Sequence, residues 1–305
     1  MLAVISHPDC LLHDAGPHHP ECADRLHAIN NQIISSGLDF VVRHYDAPLA
    51  TKQQLGLVHD PAYVESIFQR SPSEGYVELD GDTIMSPGTL NAALRAAGAG
   101  VMGVDLVVEG KAENAFCPVR PPGHHAERAR ARGFCLFDNI AVAAAHALSA
   151  HGLERVAIVD FDVHHGNGTE DIFRDESRVL FCSSFQHPFY PFSGTTTGRP
   201  NYIPVPLPHG ARAHDFRNAI EREWLPALDA FRPEFVFVSA GFDAHALDDM
   251  SGLNLTEADY AWVTTQIKAV AERHAGGRIV SMLEGGYETG SLARSAVAHM
   301  KVLAG

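Results

Sequence analysis

Cysteine is scarce in this chain. Its five cysteines (Cys10, Cys22, Cys117, Cys135, Cys182) are scattered, odd in number and contain no CxxC pair. That pattern argues against both a disulfide framework and a thiolate zinc site, and it predicts reduced, packed thiols in a cytoplasmic protein. The stretch from residue 1 to 10 lacks the basic start and apolar run of a signal peptide. No apolar run is expected to approach the ~18 residues that span a membrane, so no membrane partner is expected. Linkers, low-complexity segments and internal repeats are also missing, which favours one domain over residues 1–305. Positive charge is in short supply: 23 Lys and Arg against 37 Asp and Glu leave a formal charge of −14. Such a surface repels phosphate backbones, so no nucleic-acid partner is expected. It suits cationic ligands such as polyamines or lysine-rich tails, besides serving solubility. Nothing in the sequence specifies an oligomeric state.

Several familiar chemistries are excluded by missing motifs. There is no phosphate-binding P-loop, no GxSxG elbow and no HExxH helix. Gly98-Ala99-Gly100-Val101-Met102-Gly103 matches GxGxxG in letters. It lies inside a helical stretch (91–108) rather than after a strand, so a close-packed small-residue face is the better reading.

What is present is an alternation of short and long patterned segments. Apolar or β-branched runs at 2–6, 39–44, 115–120, 155–162, 178–183, 202–205, 234–240 and 278–283 predict strands. Stretches with helical spacing at 22–36, 61–69, 87–108, 139–150, 213–230, 256–274 and 291–303 predict helices. The alternation predicts an α/β fold with a largely parallel sheet covered by helices on both faces. In such sheets the ligand site lies beyond the carboxyl ends of the strands.

Four predicted strands run into chemically rich segments at that edge. One leads into Pro121-Pro122-Gly123-His124-His125, and the next into Asp160-Phe161-Asp162-Val163-His164-His165-Gly166-Asn167-Gly168. The other two lead into Gly241-Phe242-Asp243 and Glu284-Gly285-Gly286-Tyr287. Period-two spacing in extended chain would put Asp160, Asp162 and His164 on one face. Asp162 and His164 are the natural metal ligands there, with distant Asp243 as a third. One imidazole, two carboxylates and an open fourth position suit a catalytic Zn²⁺. Hydrolysis also needs a base for water and a donor for the developing oxyanion. His124 and His125 are candidates for the base, and Tyr287 for the donor. Arg128, Arg130 and Arg132 alternate in a loop beside the His pair and read as a solvated loop or as a contact for an acidic substrate group.

These segments resemble the histone deacetylase family, within the arginase–deacetylase superfamily. The resemblance runs nearly end to end. It includes Ser6-His7-Pro8-Asp9 with His19-Pro20-Glu21, Arg120-Pro121-Pro122-Gly123-His124-His125-Ala126-Glu127, Gly133-Phe134-Cys135, and residues 159–169, 239–244 and 283–287. Asn167, in place of Asp, is similar to the class II branch, which also holds bacterial histone-deacetylase-like amidohydrolases and acetylpolyamine amidohydrolases. The resemblance implies roles for these residues. Asp162, His164 and Asp243 would bind zinc. His125 would be the main base and then acid, oriented by Asn167, while His124 paired with Asp160 would act through charge. Tyr287 would hydrogen-bond the scissile carbonyl. Gly133, Phe134 and Tyr190 would wall an acyl-lysine channel, with Met250 at the position where polyamine-selective relatives carry a Glu. Asp82, Asp248 and Asp249 are the carboxylates that would reach the rim if the loops turn suitably. A structural K⁺ ion would sit near Asp160, Asp162, His164 and Ser183.

The implied activity is zinc-dependent deacetylation, with acylated lysine on proteins or peptides as substrate, or alternatively small acetylated amines such as acetylpolyamines. An arginase-like two-metal site would need a carboxylate where Gly166 stands. A catalytically silent acyl-binding module would not need His124, His125 and Tyr287 together.

Overall fold

The computed structural model describes residues 1–196 and 198–305. In chain order the strands are β1 (Leu2–Ser6), β2 (Val42–Asp46), β3 (Val77–Asp80), β4 (Thr83–Met85), β5 (Asn114–Cys117), β6 (Val156–Asp160), β7 (Val179–Gln186), β8 (Tyr202–Leu207), β9 (Phe235–Ala240) and β10 (Ile279–Leu283). The helices are α1 (Asp24–Ser35), α2 (Lys52–Leu55), α3 (Pro61–Arg70), α4 (Thr89–Val108), α5 (Asn139–Ala150), α6 (Asn167–Ile172), α7 (Ala213–Ala219), α8 (Leu225–Phe231), α9 (Glu257–His274) and α10 (Thr289–Ala304).

Eight strands pair in the order β2-β1-β5-β10-β9-β6-β7-β8, and every pairing is parallel. The central strands β5, β6, β9 and β10 are buried along their whole length. That is why they read as unbroken apolar runs rather than as alternation: side chains on both faces meet helices. Helices α4 and α5 pack together on the sheet, and α1, α9 and α10 form a second packed group.

All eight strands expected from the sequence are the eight strands of the sheet, with bounds that move by at most three residues. Strand β2, expected at 39–44, moves at both ends, by three and two residues. Residues Leu38–Phe40 instead close a 3₁₀ turn, started by Gly37 at φ 74°. The sequence reading missed the antiparallel β3–β4 hairpin, whose strands of four and three residues are too short to show a period. It also missed the short helices α2 and α6. The single helix expected at 213–230 is α7 and α8 joined through one π-helical turn, Ile220–Trp224.

Helix α4 corrects one expectation and supports another. Contrary to the reading that no apolar run is long enough, its 20 residues meet the length and composition for crossing a membrane. It is a core helix nonetheless: 72% of its apolar window is buried inside the fold. The GxGxxG letters lie within it, and the glycines are places of close approach. A Cβ on Gly98 would stand 2.0 Å from the Pro48 carbonyl oxygen, and one on Gly103 would touch Val280 of β10. The close-packed small-residue face is therefore what the motif forms.

Candidate active site

The four chemically rich segments leave β5, β6, β9 and β10, which are consecutive across the middle of the sheet. Adjacent parallel strands end at the same edge, so segments up to about 160 residues apart in sequence meet there, as the rule for open α/β sheets requires.

Asp162, His164 and Asp243 come together as a buried group whose ligand atoms lie within 4.8 Å of one another. His164 Nδ1 is 3.1 Å from Asp162 Oδ1 and 3.2 Å from Asp243 Oδ2. The other carboxylate oxygens are tied down: Val163 N–H donates to Asp243 Oδ1 at 2.9 Å, and Gly285 N–H donates to Asp162 Oδ2 at 2.8 Å. Asp243 Oδ2 is buried with no hydrogen-bond partner. An orphaned carboxylate oxygen is expensive to leave in a protein interior. A single proton on Nδ1 cannot serve two carboxylates equally, whereas a dication accepts all three ligands. Two glycines make room for the cradle. A Cβ on Gly241 would stand 2.0 Å from Asp162 Oδ2, and one on Gly285 would stand 2.1 Å from Asp243 Oδ2.

The electrostatics agree with a cation site. Burial raises Asp243 most, and the neighbouring Asp162 adds to it, bringing its pKa to about 7. Burial opposes charge on His164 as well, yet its contacts with Asp162 and Asp243 lift it to about 9. Asp162 is itself held below the ordinary carboxylate range, because His124 and His164 outweigh its burial. Two carboxylates at this spacing in a dry site attract positive charge, and the ligand set of one imidazole and two carboxylates fits Zn²⁺.

Period-two extension does not explain the convergence. Strand β6 ends at Asp160, and the chain then bends. Asp160 Oδ1 accepts the N–H of Asp162 at 3.1 Å, and Asp162 Oδ1 accepts the N–H of His164 at 2.8 Å, so each carboxylate stabilises the next bend. Asp160 consequently stands outside the three-ligand group and pairs with His124 Nδ1 at 2.9 Å. Ser183 lies directly across from Asp160 in the β6–β7 register.

The two histidines at the end of the β5 segment are differentiated by their partners. Burial would discharge His124, but Asp160, Asp162 and Glu284 hold its pKa well above the usual value. His125 is held well below, by burial first and then by the adjacent His124 and His164. The two rings are 4.1 Å apart, centroid to centroid. His125 Nδ1 lies 2.8 Å from Asn167 Oδ1, while Asn167 Nδ2 donates to Glu127 Oε1 at 2.8 Å. With the amide fixed in that orientation, His125 donates from Nδ1, so a neutral ring carries its lone pair on Nε2.

A cleft of about 240 Å³ opens above this group, lined by Asp82, His125, Gly133, Phe134, His164, Phe189, Tyr190, Met250 and Tyr287. Every channel residue expected from the sequence is present. Phe134 and Tyr287 meet edge to face at 6.1 Å, and Tyr190 meets His125 at 5.1 Å. Phe189 was not foreseen; it stacks on His164 at 5.3 Å. Its signal was available in the aromatic pair Phe189-Tyr190, of which only the second had been singled out. Burial, and then Asp243, keep the Tyr287 hydroxyl well above its usual pKa, so the phenol holds its proton and can donate it. Arg25 lies over the Tyr287 ring at 5.0 Å and hydrogen-bonds the carbonyl oxygens of Glu284 and Gly286. Sequence reasoning also missed Glu284 as a positioning group. Its buried carboxylate accepts the N–H groups of Gly123 and His124 at 2.7 and 3.2 Å.

Rim carboxylates divide sharply. Asp82 lines the cleft and accepts Gly133 N–H at 3.0 Å. Asp248 faces inward: it is buried and accepts the N–H groups of Met250, Tyr287 and Glu288. Asp249 is exposed and does not line the cleft. The arginine loop is held by protein contacts. Arg128 binds the Ile172 carbonyl, Arg130 binds Asp80, and Arg132 binds both Glu127 and the Tyr190 hydroxyl.

Known proteins resemble this chain along nearly its whole length. Residues 19–303 match the family model described as the histone deacetylase domain. The histone deacetylase-like amidohydrolase of Pseudomonas aeruginosa is 37% identical, the match covering 91% of this chain and 79% of that protein. The human protein named polyamine deacetylase HDAC10 is also 37% identical, over 99% of this chain and 48% of its own length. Among solved structures, the HDA15 HD domain superposes with a TM-score of 0.92 at 37% identity, covering 99% of this chain and 88% of that one.

Proposed function

The chain belongs to the histone deacetylase family, and within it we propose a zinc-dependent hydrolase that removes acetyl or other acyl groups from lysine side chains of proteins or peptides. The family makes it a deacetylase-like hydrolase acting on amides; the metal, the residue roles and the lysine substrate are the proposal. Asp162, His164 and Asp243 would hold the zinc. Bound there, Zn²⁺ supplies a Lewis acid that acidifies water and polarises a carbonyl.

The chain's own residues do the rest. His125, neutral and oriented by Asn167, takes the proton from the attacking water at Nε2 and later delivers it to the leaving amine. His124, protonated against Asp160, contributes positive charge beside the site where anionic charge develops. Tyr287 donates its hydroxyl proton in a hydrogen bond to the carbonyl oxygen, and Arg25 and Asp248 hold the backbone and ring that aim it. Phe134, Phe189 and Tyr190 give the cleft apolar walls suited to a methylene stem and exclude water from it. A K⁺ ion near Asp160, Asp162, His164 and Ser183 belongs to the same proposal, supported by the Asp160–Ser183 register. A cytoplasmic location is likewise proposed, supported by five free thiols.

The observation that carries the lysine reading is the mouth of the cleft. Met250 lines it, and Asp248 spends its carboxylate on three backbone N–H groups rather than facing the cleft. A thioether contacts a methylene stem but does not pair with a second ammonium. Asp82 at the rim, together with the net charge of −14, favours the second reading, a deacetylase of acetylpolyamines. The test is kcat/KM on an acetyl-lysine peptide and on acetylspermidine, for wild type and Met250→Glu. The proposal expects wild type to prefer the peptide and Met250→Glu to shift preference toward the polyamine. A wild-type preference for the polyamine of about tenfold or more, ~1.4 kcal/mol, hands the assignment to the second reading.

A further inference from the structure

Away from the cleft, a second group of side chains has the composition of a metal site. Asp105 on α4, His146 on α5 and His151 just beyond the end of α5 meet where the two helices pack. Both imidazoles aim Nε2 at the same carboxylate oxygen: His146 Nε2 is 2.8 Å and His151 Nε2 2.7 Å from Asp105 Oδ1. Their rings lie 5.4 Å apart at 85°. These helices are mostly apolar. Asp105, His146 and Arg95 are the only ionisable residues on them, and Arg95 is committed to Asp9 and the Ala47 carbonyl. Among the described residues, no Lys or Arg pairs with Asp105, whose ionic contacts are the two histidines alone.

Hydrogen bonding underuses this arrangement. Two donors crowd one oxygen of a carboxylate, and neither imidazole Nδ1 has a protein partner among the described residues. Three ligand atoms from separate side chains lie within 4.8 Å of one another, as do those of the group in the cleft. We propose that Asp105, His146 and His151 form a second binding site, for a divalent transition ion of the zinc type, that ties the end of α5 to α4. Imidazole with carboxylate is the ligand chemistry of such ions, and the half-exposed Asp105 leaves the outer side open to water ligands. Metal–ligand bonds of ~2.0–2.1 Å in tetrahedral geometry set the ligand atoms about 3.3 Å apart. The imidazoles must therefore back away by about half an ångström, a small rotation for partly exposed rings at a helix end. Exposure also makes this ion easier to exchange than one held by three buried ligands.

The experiment is metal analysis of the zinc-loaded protein dialysed against a series of buffered free-zinc concentrations. Wild type should take up a second equivalent. The His146→Ala/His151→Ala variant should stop at one, and Asp162→Ala should retain one, held by this group. His151→Gln, a mild change beyond the helix end, guards against a folding defect. It should weaken the second equivalent by about tenfold or more, the scale of loss when support around a metal is removed. Wild type that never exceeds one zinc per chain overturns the site, and so does a His146→Ala/His151→Ala variant that binds the second equivalent as tightly as wild type. No arm reads activity, so failure here leaves the deacylase assignment untouched.

Discussion

Gly285→Ala adds one methyl group and tests the metal cradle without removing a ligand. The new Cβ would stand 2.1 Å from Asp243 Oδ2 and 2.6 Å from Asp162 Oδ2, where ordinary contact begins at 3.4 Å. Gly285 does not have a left-handed φ, so alanine fits its backbone and the conflict is confined to the carboxylates. Relief requires the Asp243 oxygen to retreat by more than about 1 Å, against a tolerance of ~0.2 Å in metal–ligand distances. Overpacking of this kind costs ~1–3 kcal/mol, which a domain of this size survives. The variant should fold, bind zinc at least ~10–100-fold more weakly and lose kcat/KM in proportion at limiting zinc. Gly81→Ala is the matched control, because its Cβ meets nothing within 4 Å. Competition with a chromophoric chelator gives the affinity, and near-UV circular dichroism checks the fold. A folded Gly285→Ala with wild-type zinc affinity would show that these carboxylates are not ligands.

Two further outcomes concern the residues assigned to catalysis, and a third concerns stability. Tyr287→Phe should leave fold and metal content intact and reduce kcat by ~10²–10³, the usual effect of losing one oxyanion donor. In the same steady-state assay His125→Ala should be worse than His124→Ala, since only the former loses the proton carrier; the reverse order contradicts the roles assigned. Stability should depend on pH through His299, which is buried between Thr264 and Ser281 and pushed down to about 3 by burial. Its folded pKa lies below the unfolded value near 6.5, so the unfolded chain binds the extra proton. The stability it contributes is complete above pH 6.5 and drains as pH falls toward about 3, by ~1.4 kcal/mol per unit. Urea unfolding at pH 7 and pH 5 should show a shallower decline for His299→Gln than for wild type, and equal slopes refute the argument.

The sheet was legible because its central strands are apolar on both faces and end in clusters no ordinary turn requires. Asp162, His164, Asp243 and the His pair could be read from those clusters alone, and the resemblance then distinguished His125 from His124. In the structure the two rings differ in their partners, Asn167 for His125 and Asp160 for His124, 42 and 36 residues away. Other features carried no local signal. The β3–β4 hairpin is too short for periodicity, yet its turn holds Asp82 at the rim. Asp248 and Asp249 are neighbours in sequence and opposites in space, one turned inward to cap backbone N–H groups and one exposed. Arg25 and Glu284 act through tertiary contacts to backbone atoms, a kind of partnership that residue type does not announce.

Acetate release from an acetyl-lysine peptide, followed as zinc is stripped and returned, tests the central claim most directly. The account predicts that the metal-free protein is inactive and that activity returns as the Asp162, His164 and Asp243 group refills. Acetate and the deacetylated lysine peptide should appear in equal amounts, and Asp162→Ala should stay inactive at every zinc concentration. Undiminished turnover by the metal-free protein, or full activity in Asp162→Ala, would contradict it.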